Sequence, residues 1–215
     1  MLNFLLETKK EYIIQLTNLI YLKIYEGLDS IYKKSLNKSN DDDILKVFQK
    51  QLKKINKWDT AFLINETNRI FSDNVELSIN LLKAIIKSQI IIMTFDPNEH
   101  NKKIDPNVYD CVKLHVLIHN IYIECARVFW DCPYLFYHKY PSLEIKRNQR
   151  EIFEIIKKSV EEAIRKLLPL QHILDVYLGE QYTPSEIGEK ISDKEKNTMI
   201  KLAELIGNLN SNLMM

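Results

Sequence analysis

From residue 142 to 167 apolar side chains recur at helical spacing through Ile145, Ile152, Ile156, Val160, Ala163 and Leu167, and neither glycine nor proline interrupts them. A 3.6-residue period sustained this long specifies one amphipathic helix and excludes a strand, whose period is two. Just before it, Pro133 and Pro141 bracket a segment dense in aromatic residues, so the helix is joined to the preceding one through a bulky corner. A chain built around this stretch needs further helices to cover the apolar stripe.

The rest of the sequence supplies them. Over residues 3–36, Phe4, Leu5, Ile13, Leu16, Ile20, Ile24, Leu28 and Ile31 trace one face, with Gly27 as the weak point. Tyr12, Tyr21, Tyr25 and Tyr32 on the same segment read as core or boundary residues rather than a binding stripe. Ser39, Asn40 and Asp41 to Asp43 suit a helix start; the aspartates complement its dipole and lack the spacing of a calcium loop. Ile44, Leu45, Phe48, Leu52 and Ile55 then form an apolar stripe. Helices follow from Trp58 to about Ser72 and over residues 75–94, the latter apolar around most of its circumference and expected at the centre of the core. Val112 begins another that runs to Trp130. Only four glycines and six prolines occur in 215 residues, too few for the turns of a β fold. The expectation is an all-α protein, an irregular bundle of about seven to nine helices with no sheet.

The organisation expected is a helical half over residues 1–95, a linker over 96–107 marked by two Asp-Pro steps, and a second half over 108–179 holding the corner and long helix. A tether over 180–191 and a last helix over 192–209, opened by Ser192 and Glu195 as a capping box, complete it.

Thirty basic and twenty-nine acidic side chains nearly cancel, so no global field draws the chain onto nucleic acid or anionic lipid. Three cysteines suit a reducing compartment, no stretch approaches the ~20 apolar residues of a membrane span, and the N-terminus lacks a signal-peptide core. Phosphate loops, nucleophile elbows, zincin motifs and paired cysteine motifs are all missing, which points to a non-enzymatic protein with no catalytic residues and no cofactor. Cys111, His115 and His119 fall at four-residue steps on one helix, a weak metal pattern without the zincin glutamate or a second ligand cluster; ordinary helix residues account for them better.

The electrostatic feature that stands out is Lys139, Lys146, Arg147 and Arg150 around the start of the long helix, where the dipole is already positive. Such a cluster is a candidate anion or partner site, although Glu144, Glu151 and Glu154 are near enough to offset it internally. Phe129, Trp130, Tyr134, Phe136, Tyr137 and Tyr140 form the aromatic corner, read chiefly as the lock between two helices and secondarily as a stacking surface.

YIECARVFWDCPYLFYHKYPSLEIKRNQREIFEIIKKSVEEAIRKLLP, with ILDVYLGE, ISDKEKNTMIKLAELI and the N-terminal ETKKEYIIQLTNLIYLKIYEGLDSIYKK, resembles uncharacterised helical proteins of nucleocytoplasmic large DNA viruses. The resemblance implies a viral protein of the host cytoplasmic factory or the virion. It supplies no active site. The expected function is therefore a virion structural or assembly factor that binds other viral proteins. The alternative is a helical accessory factor that binds nucleic acid or the viral transcription machinery through the basic helix start.

Overall fold

In a computed structural model, residues 2–38, 43–95, 109, 112–171 and 173–174 are described. Six α-helices and no strand occur among them: α1 (Leu2–Leu36), α2 (Ile44–Leu52), α3 (Thr60–Phe71), α4 (Val75–Met93), α5 (Leu114–Asp131) and α6 (Ser142–Lys166). The protein is all-α, with fewer α-helices among the described residues than the seven to nine expected. Part of the difference is that 3-10 turns (Ile55–Lys57, Ser72–Asn74 and Pro133–Phe136) fill the short breaks. The segments 96–107 and 180–191 and the helix expected over 192–209 lie outside the described residues. None of the helices described is long and apolar enough to cross a membrane.

Met1–Pro169 forms one compact unit and Leu170–Met215 a second. In the first, α1 is the spine. Leu16, Ile20, Ile24 and Leu28 are completely buried at the spacing the sequence shows. Each such side chain contributes about 1.5–3 kcal/mol on burial. One side of α1 lies on α4, and α6 and α2 pack beside it, so helices from before and after residues 96–107 share one core. The stripe fails at its N-terminal end, where Phe4 is 76% exposed.

Helix α4 differs from its expected central position. Leu81, Leu82, Ile85, Ile86 and Ile90 are buried, but Val75, Leu77 and Met93 on its other side face solvent. The more deeply set helix is α5, which buries Leu117, Ile118, Ile121, Tyr122, Cys125 and Phe129 between α3 on one side and α6 on the other.

Local chemistry fixes the ends of the elements. Asp59 accepts the Phe62 amide at 2.7 Å and caps α3. Asp43, by contrast, makes no cap bond at α2 and pairs with Lys46 at 3.0 Å. At α6 the cap position belongs to Pro141, whose carbonyl accepts the amides of Glu144 and Ile145 at 2.9 and 3.0 Å. Proline suits this place because its extended backbone turns the chain into the helix and its missing N–H is not needed there.

Candidate functional site

The corner is built by Pro133–Phe136. It follows the last turn of α5, where Cys132 N–H donates to the Val128 carbonyl at 3.2 Å, and reverses the chain before α6. Two kinds of residue emerge from it. Phe129 and Phe136 point inward and are buried, their rings edge to face at a centroid distance of 5.0 Å. Phe136 also meets Phe48 of α2 at 5.0 Å and Tyr32 of α1 at 6.0 Å. This one ring therefore ties α1, α2 and α5 together.

The other corner residues lie nearer the surface. Tyr134 is 47% exposed. Tyr137 and Tyr140 pack on each other at 5.1 Å. Trp130 is partly covered by Lys53, whose ammonium sits 4.8 Å above its ring, while its carbonyl accepts Gln49 at 2.6 Å. The six aromatic residues are thus split between a lock and a surface.

Beside the corner, between α1 and the first turns of α6, lies a cavity of about 180 Å³. Tyr25, Tyr32, Phe136 and Tyr137 form aromatic walls and Ile145, Gln149 and Ile152 close it from α6. The Tyr32 hydroxyl is hydrogen-bonded to His138 Nδ1 at 2.9 Å. Burial, then the nearby Asp29 carboxylate, raises the pKa of the Tyr25 hydroxyl, so both phenols stay neutral at physiological pH.

The basic residues divide as well. Leu143, Lys146, Arg147 and Arg150 stand at i, i+3, i+4 and i+7 and share the solvent face of α6. Leu143 is 66% exposed. Lys146 donates to Gln149 Oε1 at 3.3 Å. Neither Arg147 nor Arg150 has an ion-pair partner among the described residues. Of the neighbouring carboxylates, Glu154 binds Lys157 at 2.8 Å; burial, then the Glu151 charge, raises the pKa of the Cys132 thiol. Lys139 has a partner within the fold and does not belong to the unpaired set.

His115 and His119 both lie on α5, and Cys111 is outside the described residues. His119 Nε2 is bonded to the Ile55 carbonyl at 2.9 Å, which joins α5 to the 3-10 turn after α2. Among the described residues no three potential ligands converge on one point.

A second polar cluster has no counterpart in the sequence reading. The Glu66 carboxylate on α3 accepts the Tyr122 hydroxyl of α5 at 2.5 Å and Arg69 Nε and Nη2 at 2.9 and 2.7 Å. Arg69 Nη2 also donates to the Lys23 carbonyl of α1 at 2.7 Å. Burial alone would raise the Glu66 pKa, but the bonds from Arg69 and Tyr122 and the guanidinium charge outweigh it and hold the carboxyl below its usual range. Burial, reinforced by Glu66, raises the Tyr122 pKa far above that of a free phenol. The Tyr122 hydroxyl fits because Gly27 lies over it; a Cβ there would stand 1.9 Å from Oη. The signal in the sequence is the pairing of a glycine inside a long helix with an i, i+3 Glu–Arg pair on another.

The fold and these sites define a class first: an all-helical protein whose exposed chemistry is a basic helix face beside an aromatic corner. More particularly, the chain belongs to a family of unknown function, DUF5764, whose model matches residues 2–137 and so takes in α1 to α5 and the corner through Tyr137. No curated protein and no solved structure matches the chain.

Proposed function

We propose that the protein is a non-enzymatic interaction protein that docks an acidic partner on the first three turns of α6. The observation that carries this reading is the Leu143, Lys146, Arg147, Arg150 face. Arg147 and Arg150 lack ion-pair partners among the described residues. Leaving like charges together on one helix face costs a few tenths of a kcal/mol per pair and is offset when a negative surface arrives. An exposed leucine in the same stripe supplies the apolar contact that protein interfaces use and a phosphate backbone does not.

In keeping with the resemblance to helical proteins of large DNA viruses, the partner is a viral structural protein and the role lies in assembly or in the virion, within the host cytoplasm. The test is a mobility-shift titration with duplex DNA and single-stranded RNA at rising salt. This reading expects no shift that depends on Arg147 and Arg150. A shift with steep salt dependence that Arg147→Glu/Arg150→Glu abolishes moves the assignment to the nucleic-acid-binding accessory factor.

A further inference from the structure

The cavity beside the corner has a chemistry separate from that of the basic face. Ile145, Gln149 and Ile152, at i, i+4 and i+7, line it from one side of α6, whereas Arg147 and Arg150 fall on the other side of the helix. The only fixed charges in the lining are Asp29 and Lys33, which neutralise each other at 2.7 Å. An occupant is therefore selected by shape and hydrogen bonding, not by charge.

Shape calls for a small ring. An engineered cavity of about 150 Å³ holds one benzene, and this one, at about 180 Å³, takes a single five- or six-membered ring. Its floor is apolar, with Leu135, Phe136 and Ile152 all buried, and tyrosine rings stand around it. The polar atoms are unevenly used. Acceptors are already engaged: Asp29 by Lys33, Gln149 Oε1 by the Lys146 ammonium at 3.3 Å, and His138 Nδ1 by the Tyr32 hydroxyl at 2.9 Å. A donor is left over, because the Tyr137 hydroxyl has no hydrogen-bond partner among the described residues. Donors without free acceptors suit a segment that brings carbonyls but no N–H. Proline supplies both the ring and the missing N–H.

We propose that this cavity is a docking site for a proline-rich segment in the polyproline II conformation, one pyrrolidine ring entering it while the Tyr137 hydroxyl donates to a neighbouring backbone carbonyl. Aromatic-lined grooves take such segments because the extended conformation is ordered before binding and costs little entropy. The aromatic surface continues past the mouth: Tyr137 packs edge to face on Tyr140 at 5.1 Å, and Tyr134 of the same corner is 47% exposed. This site goes beyond the acidic docking role assigned to α6, and either can fail alone.

The test uses the full chain and three uncharged, end-labelled peptides read by anisotropy: octaproline, an alanine–serine peptide of the same length, and that peptide with one central phenylalanine. Octaproline is expected to bind about tenfold to a hundredfold more tightly than the alanine–serine peptide. Its affinity should be unchanged between low and physiological salt and in Arg147→Glu/Arg150→Glu. Tyr137→Phe should weaken it about twofold to tenfold, and Ile145→Glu, at a position 38% exposed in the mouth, should remove the preference. Circular-dichroism melts check that both variants are folded. Octaproline binding no tighter than the alanine–serine peptide overturns the proposal and leaves the basic docking face standing. Tighter binding of the phenylalanine peptide than of octaproline overturns it in favour of a general aromatic anchor. A dimer in sedimentation that Ile145→Glu dissociates makes a second copy of the chain the occupant and likewise overturns it.

Discussion

Replacing Gly27 by alanine places two physical effects in opposition, and the structure decides between them. In a helix interior the change gains about 1 kcal/mol of propensity. Here the new methyl would stand 1.9 Å from Tyr122 Oη and 3.0 Å from Glu66 Oε1. Tyr122 cannot simply step aside: it is fully buried, with the Trp58 ring 4.9 Å from its own. Overpacking a filled site costs about 1–3 kcal/mol, and displacing the hydroxyl from a charged carboxylate another ~1.5–3. The net expectation for Gly27→Ala is a loss of about 1.5–5 kcal/mol, which at 2–4 °C per kcal/mol for a domain of this size lowers Tm by at least about 3 °C. Urea titration followed by circular dichroism gives the free energy directly. In a Tyr122→Phe background the cost should shrink but not vanish, because the ring carbon Cζ would remain 3.0 Å from the methyl. A stabilised or unchanged Gly27→Ala variant would refute the close-approach argument, since propensity would then be the only effect at work.

Further outcomes follow from the same contacts. Glu66, with its pKa lowered in the folded state, contributes stability that is present above the unfolded carboxyl value and lost as pH falls through the folded one; Glu66→Gln should flatten the acid limb of a stability–pH curve. Tyr122, with its pKa raised, acts in the opposite range: stability is intact below the unfolded phenol value near 10 and falls above it, and Tyr122→Phe should remove that alkaline loss. Phe136→Ala should cost about 3–5 kcal/mol in chemical denaturation, because its ring is shared by three helices. The Cys125 thiol is pushed up to about 12 by burial, so at pH 8 only about one in ten thousand is thiolate, and peptide-level mass spectrometry should find Cys132 alkylated well before it. Equal rates at the two cysteines would contradict the buried position.

Much of the fold is legible because helical periodicity reports burial directly. The stripe Ile152, Ile156, Val160 and Ala163 of α6 is buried as its spacing requires, and so are Ile44, Phe48, Leu52 and Ile55. Periodicity does not say which of two apolar faces is covered, so the sequence places α4 at the centre although Leu77 faces solvent. Charge pairing was less legible than helix position. Glu154 and Glu162 form i, i+3 pairs with Lys157 and Arg165, whereas Lys166 reaches across to Glu124 of α5 at 2.5 Å. Long flexible side chains choose among neighbours by tertiary position, which spacing alone does not encode. For the same reason Glu66, Arg69 and Tyr122 escape a linear reading: they meet only when α3 and α5 pack. The basic face of α6 was visible at once, since its members lie within eight residues. The partner of Lys139 and the cavity beside the corner needed the fold.

The central claim is that α6 docks an acidic protein partner through Arg147 and Arg150. Its most direct test is parallel affinity capture of the wild-type chain and Arg147→Glu/Arg150→Glu from the cells that produce it, with nuclease treatment and quantitative mass spectrometry. The account predicts a discrete set of nuclease-resistant protein partners, structural proteins among them, that the double charge reversal depletes at least tenfold while the fold persists. Partners retained equally by both chains, or lost with nuclease alone, would contradict it.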